Sequence, residues 1–360
     1  PEPLTLAAIM TPRLTLPALS LFLLFVSFLF SFSPDSPPFS QFARATPPPP
    51  PRRASRKPKE VEMPPKKLQL HDEGLMSVIE GGGAEAGAGA GPAFFGPIAT
   101  PPIGGSPARI VSLSPSVTEI LFALGAGARV VGISDHCDFP AETKGLARVG
   151  TFLAPVVEAV LALRPDLVIT APSPANRGSV VAIQRAGVAV EVIPEGNLAD
   201  LEAAIDKIAV AVGLDDQGRL LNASLTETFA SVAEAARNRP RPRVAVIVGH
   251  QPLVMAGPRS YLGELVALAG GDNIAAVLDS AWPRVGWEFL LAASPEVVLD
   301  LSMGSENTSE EGLARRWARY QNLPAVGEGR VHGYGGGVFL RPGPRLADAA
   351  RRLLPPFSPP

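Results

Sequence analysis

Two Rossmann-like α/β lobes with parallel sheets, joined by a single long backbone helix, are the fold this sequence predicts. Three observations carry the prediction. From Arg109 onward, short apolar runs alternate with amphipathic helical stretches, the pattern of parallel βα units. The alternation is interrupted once, from Asn197 to Asn238, where two helical stretches run almost together. A phrase then recurs on either side of the interruption. Aligned on Glu158 and Glu288, both copies read E-x-x-L-A-x-x-P-[DE]-x-V, with Pro165 and Pro295 in register.

The elements follow in order. In the first lobe "RIVSLS" reads as a strand and "SVTEILFALG" as a helix, with a capping box from Ser116 to Glu119 and Gly125 as its stop. "RVVGIS" is the next strand, followed by helix "APVVEAVLAL", strand "DLVIT", helix "ANRGSVVAIQRAG" and strand "VAVEVIP". The second connecting stretch, "DDQGRLLNASLTETFASVAEAARNRP", carries about 24 residues before Pro240, or ~36 Å of helix. Alternation then resumes with strand "RVAVIVG", helices "SYLGELVALAGG" and "WEFLLAAS", strand "EVVLDL", helix "SEEGLARRWARY", strand "GRVHGYG" and helix "PRLADAARRLL".

Ahead of the fold, composition changes character. Residues 1–45 read as a signal peptide or membrane anchor: Met10 and Arg13 precede an apolar run from Leu14 to about Phe32, and "ARA" at Ala43–Ala45 has the form of a cleavage site. Export with cleavage is expected, because basic residues after the run outnumber the one before it. Residues 46–107 are Pro- and Gly-rich, first basic and then low in complexity, and are expected to be a disordered linker. The remaining units are 108–196 (first lobe), 197–240 (helical connector) and 241–356 (second lobe). A net charge of −2 gives no footprint for nucleic acid. The single cysteine, Cys137, forms no internal disulfide.

Much of the repeated phrase is structural: Leu and Ala face the sheet, and Pro ends each helix. Glu158 and Glu288 are not explained by packing. Either alone reads as a first-turn acid favouring the helix dipole; their paired position points to a shared external task.

The segments "RIVSLSPSVTEILFALGAGARVVGISDHCDFPAE", "LALRPDLVIT", "AWPRVGWEFLLAASPEVVLD", "NLPAVGEGRVHGYGGG" and "RPGPRLADAARRLL" closely resemble the periplasmic vitamin B12-binding protein family. These are the helical-backbone solute-binding components of cobalamin and iron-siderophore ABC importers. The resemblance covers about Ala108 to Leu354. It implies a ligand held between the lobes, and a glutamate on each lobe, here Glu158 and Glu288, docking onto arginines of the membrane permease. Trp282, Phe152 and Phe339 match aromatic residues that hold the corrin in the family's B12 receptor. His136 stands where that receptor has a tyrosine, and Ala171 where it has a tryptophan. Arg341, beside Phe339, and His250 complete the implied ligand-binding set.

The stretch "DHCDFP" places a thiol, an imidazole and two carboxylates together, and so raises reactive chemistry. Adjacent residues point apart, however, and "HC" lacks the spacing of a zinc site. No G-x-S-x-G, P-loop or H-E-x-x-H motif occurs. A binding protein and not an enzyme is expected, with Cys137 as a small, semi-buried filler. His136 and His250 each end a strand at the cleft, one per lobe, and either line the pocket or ligate a metal in the ligand. The resemblance implies periplasmic capture of cobalamin or a related corrinoid, with no cofactor beyond that ligand, and delivery to a permease with its ATPase subunits. Two alternatives stand: a haem, ferric-siderophore or metal receptor of the same fold, and a non-transport structural or sensory protein of the envelope.

Overall fold

The computed structural model describes residues 106–302, 309–335 and 337–358. The expectations for the apolar segment and for nearly all of the linker lie outside these residues. The first lobe comprises β1 (Ile110–Ser112), α1 (Pro115–Ala123), β2 (Val130–Ile133), β3 (Ala147–Arg148), α2 (Val157–Ala162), β4 (Leu167–Thr170), α3 (Arg177–Arg185) and β5 (Ala189–Val192). Its sheet is parallel throughout, in the order β3-β2-β1-β4-β5. Central strands β1 and β4 are buried along their whole length, as unbroken apolar runs covered on both faces should be. Val111, Val168 and Val190 from the sheet pack with Val160, Val180 and Ile183 from the helices.

The expected capping box is corrected. Helix α1 opens on Ser114 with Pro115 in its first turn, and no side chain caps it. Proline has no N–H to satisfy there. Ser116 Oγ instead donates to Glu195 Oε1 at 2.8 Å, and Glu119 takes Arg345 from the other lobe. The S-x-x-E spacing serves tertiary contacts. Gly125, at φ +84°, does stop the helix.

A reciprocal capping box forms at Asn197–Asp200, where α4 (Leu198–Val212) begins. Gly213 ends α4 in the left-handed region, and α5 (Asp215–Ala236) turns back along it. Asn222 of α5 reaches the Glu202 carbonyl and Asp206 of α4. The 22 residues of α5 make a rod of ~33 Å. Farther along, Thr228 accepts a hydrogen bond from Arg351 of the second lobe at 3.0 Å, so one helix serves both lobes.

The second lobe comprises β6 (Arg243–His250), β7 (Leu253–Met255), α6 (Tyr261–Leu268), β8 (Asp272–Asn273), β9 (Arg284–Val285), α7 (Trp287–Ala293), β10 (Val297–Asp300), α8 (Glu310–Trp317), α9 (Pro324–Gly327), β11 (Val331–Gly333) and α10 (Leu346–Leu353). Its sheet runs β11-β10-β6-β7-β9, with β8 also on β6. The fold class holds, but this sheet is mixed and not purely parallel: β7 is antiparallel to β6, and β9 to β7. Only Gln251 and Pro252 separate β6 from β7, far too few for the crossover a parallel pair needs.

The repeated phrase repeats in three dimensions. Arg164 and Ser294, one residue before each proline, are the non-glycine residues with positive φ among those described (46° and 48°). Asp166 Oδ2 accepts the backbone N–H groups of Ala108 and Arg109 at 2.9 and 2.8 Å. Its counterpart Glu296 accepts that of Arg243 at 2.8 Å. The acid after each proline thus pins the start of the neighbouring central strand. Glu158 and Glu288 are exposed in the first turns of α2 and α7.

At the other pole, the first described residues lie against the α4–α5 turn. Arg129 joins the Val212 carbonyl at 2.8 Å to that of Pro107 at 3.3 Å. The last described residues are held by Arg330, whose Nη2 donates to the Pro356 and Ser358 carbonyls at 3.0 and 3.1 Å.

A Cβ on Gly218 of α5 would stand 2.5 Å from Cβ of Ala209 on α4. On an exposed helix Gly→Ala gains ~1 kcal/mol. Gly218→Ala is expected to lose about 1–3 kcal/mol instead, because two backbones must part. Urea unfolding of the variant checks this.

Candidate ligand cleft

Ligands of open α/β sheets bind beyond the carboxyl ends of the strands. In the first lobe those ends carry Ser134–Asp138 after β2, Ala171–Asn176 after β4 and Ile193–Glu195 after β5. In the second they carry His250, Asp300–Ser302 and Tyr334.

The Ser134–Asp138 turn is built inward. Cys137 is buried and accepts from Thr118 Oγ1 at 3.1 Å, with Ser134 Oγ at the same distance. Burial pushes its thiol up, more than those hydroxyls lower it. A buried, protonated thiol is an inert filler. His136 is half-buried, and its carbonyl accepts from Arg341 Nη2 at 2.9 Å.

Arg341 therefore crosses between lobes. It also pairs with Asp138 and lies 3.5 Å from Glu119. Arg345 donates to both Glu119 oxygens, Nε at 2.9 Å from Oε2, and its guanidinium lies 4.1 Å over the Phe139 ring. Burial alone would lower the Arg341 pKa; Asp138 and Glu119 raise it beyond its ordinary value. Burial likewise pushes the Asp138 carboxyl up, and Arg341 outweighs it, holding the carboxyl below the usual range. A second seam joins Tyr261 N–H to the Gly196 carbonyl at 2.9 Å, and Leu198 N–H to Glu264 Oε2 at 2.7 Å. Beside it, burial pushes the Glu195 carboxyl up, only partly offset by Ser116. Trp282 is half-buried and meets Tyr261 edge-on at 5.8 Å.

His250 heads a different assembly. Its Nε2 is 3.0 Å from Asp300 Oδ2. Asp300, fully buried, also accepts from Trp317 Nε1 at 2.9 Å and Ser302 Oγ at 2.6 Å. Burial pushes this carboxyl up, but His250, Ser302 and Trp317 together bring it down to about 2. The His250 ring stacks on Trp287 (5.9 Å, 22°), and Trp287 on Tyr320 (4.4 Å, 12°). Trp317 closes the cluster edge-on from beneath. His250, Trp287 and Tyr320 are half-buried, so the second lobe carries a stacked aromatic cluster, a platform only in its exposed edges.

Of the residues expected at the site, the structure joins His136 to Arg341, and it places His250 in the platform. Phe152 is half-buried in the turn closed by the Gly150–Pro155 bridge. Phe339 is 2 % exposed and packs on the half-buried Tyr334 ring at 4.6 Å. Sequence reasoning missed Trp287 and Tyr320. Their signals were the tryptophan directly before Glu288 and the three-residue spacing of Trp317 and Tyr320, which puts both on one helical face.

The family model described as periplasmic binding protein matches residues 110–336, well over half the chain. The chain belongs to the periplasmic binding protein family. It is 25% identical over 251 residues to the vitamin B12-binding protein of Vibrio parahaemolyticus, covering 69% of this chain and 89% of that one. It is 30% identical to the periplasmic heme-binding protein RhuT of Roseiflexus sp. RS-1 in its apo form, with a TM-score of 0.63, over 70% of this chain and 98% of that one. It is 27% identical to the periplasmic heme-binding protein BhuT in complex with two hemes, with a TM-score of 0.61, over 70% and 98%. This member of the family is a substrate-binding protein of the ABC-importer type, from a family of periplasmic binders that work with membrane permeases. No helix among the described residues is long and apolar enough to cross a membrane.

Asp300 carries a testable pH dependence. Its folded pKa, about 2, lies below the ordinary aspartate value of 3.8, so its stabilisation is complete above pH ~4 and lost as pH falls toward 2. At 1.36 kcal/mol per unit this is on the order of 2 kcal/mol. Asp300→Asn is expected to flatten the acid limb of stability between those pH values, as urea unfolding at stepped pH would show.

Proposed function

We propose that the protein captures a tetrapyrrole, cobalamin or a related corrinoid in the first instance, and passes it to an ABC permease. The observation that carries this reading is the platform of His250, Trp287 and Tyr320 at the strand ends of the second lobe. Partly exposed edges of stacked rings offer apolar contact to the body of a macrocycle, and Trp282 and Phe152 add half-buried rings. The vitamin B12-binding relatives support cobalamin as the first choice.

Haem is the second reading, and one observation favours it. His250 Nε2 is engaged by a buried carboxylate, the arrangement that fixes the tautomer and orientation of an imidazole bound to metal through its other nitrogen. The heme-binding neighbours support it too. On the cobalamin reading the same histidine serves only as part of the platform.

Delivery rests on Glu158 and Glu288. The proline, the acid after it and the left-handed residue before it all have internal roles in both copies of the phrase. The two glutamates are exposed, and no ion pair joins either to another described residue. Paired carboxylates, one per lobe, steer and register a partner that presents arginines. A non-transport envelope protein would have no use for both. On this reading the protein acts as a binder in the periplasm, exported and either cleaved or held by its N-terminal apolar segment.

Titrating the protein with cyanocobalamin, hemin and a ferric siderophore, read by tryptophan quenching, tests the ligand. Quenching by cyanocobalamin is expected; quenching by hemin alone would overturn the first choice. The double variant Glu158→Arg/Glu288→Arg is expected to bind as before and to abolish uptake in transport assays. Equal loss of binding would place the glutamates in the pocket.

A further inference from the structure

The Ser134–Cys137 turn has a support that the ligand set does not include. Arg148, at the end of edge strand β3, directs one nitrogen, Nη1, at three carbonyls of that turn: Ser134 at 3.0 Å, Asp135 at 3.2 Å and Cys137 at 2.9 Å. The remaining carbonyl, that of His136, accepts from Arg341 Nη2 of the opposite lobe at 2.9 Å. Four consecutive carbonyls are thus shared between two guanidiniums, one from each lobe. A carbonyl row converging on one point is electrostatically unfavourable unless a cation sits at the focus, and a guanidinium offers donors as well as charge. With the focus filled by Arg148, the fourth carbonyl and Asp138 are left turned toward the second lobe, where Arg341 takes both.

We propose that Arg148 is a positioning residue of the cleft, which shapes the His136 turn so that Arg341 can tie the lobes together. Arg148 touches only its own lobe's backbone and acts through Arg341. This deepens the proposed cleft, since it sets where His136 stands, but none of the contacts it invokes involves a ligand.

The test therefore uses the ligand-free full chain. Ala182→Cys on α3 and Ala292→Cys on α7 are exposed sites, one per lobe; Cys137 is buried from the label. Double electron–electron resonance between spin labels at those sites reads the inter-lobe distance, with thermal melts run alongside. The labelled parent should give one narrow distribution. R148A should broaden it and move it to longer distance, as R341A does. The R148A/R341A double variant should be no broader than R341A, while its melting temperature still falls below that of R341A. R148K, whose ammonium offers three N–H donors, should return toward the parent distribution. An R148A distribution equal to the parent's would overturn the proposal. So would a double variant broader than R341A, which would mean that Arg148 acts by loosening its own lobe. If R148A does not fold, R148K and R148Q decide the matter by the same comparison. Failure to bind either cyanocobalamin or hemin would sink the proposed function and leave this result standing.

Discussion

A buried carboxylate paired with two guanidiniums is the constraint around which the two lobes are arranged. Glu119 is 3 % exposed, and an isolated charge so placed is among the costliest things a fold can contain. Its compensation comes from Arg345 and Arg341, both on the far side of the cleft in sequence and in space. Removing either lobe would strand the charge. The lobes are therefore not independent bodies on a flexible joint. They share a helix, a pair of backbone contacts between Gly196–Leu198 and α6, and this ion cluster.

Duplication explains the second layer of organisation. Both lobes solve the same mechanical problem, returning a short helix into a buried central strand, with the same device: a left-handed residue, a proline, and an acid that grips the neighbouring strand's first N–H. The lobes diverged at the opposite pole. The first lobe's strand ends hold hydroxyls, a thiol and a hydrogen-bonded turn. The second lobe's hold stacked rings over a buried, hydrogen-bonded carboxylate. One wall is polar and shaped by backbone, the other aromatic.

The alternation of strand and helix was legible because parallel βα units leave a periodic trace in any sequence. The long helix was legible because nothing apolar enough to be a strand interrupts residues 215–236. The β6–β7 hairpin was not, since three-residue strands such as Leu253–Met255 are too short to show a period. The Ser116–Glu119 box was misread for a reason of principle: a local motif and a tertiary contact compete for the same side chains, and spacing does not say which wins. The positions of His136 and His250 at strand ends were legible from the alternation. The cover over Phe339 was not, because an aromatic letter does not reveal which neighbouring ring packs on it. Arg148 was invisible for a related reason. Its partners are carbonyls, which every residue has.

The chain's described ends bear on how the molecule can be handled. Residues 106 and 107 sit at the amino end of β1 beside the α4–α5 turn, and residues 356–358 sit at the amino end of β11 under Arg330. Both ends leave from the pole opposite the cleft. A leash, a label or a solid support joined at either end would hold the receptor by its back, with the mouth and the two exposed glutamates turned outward.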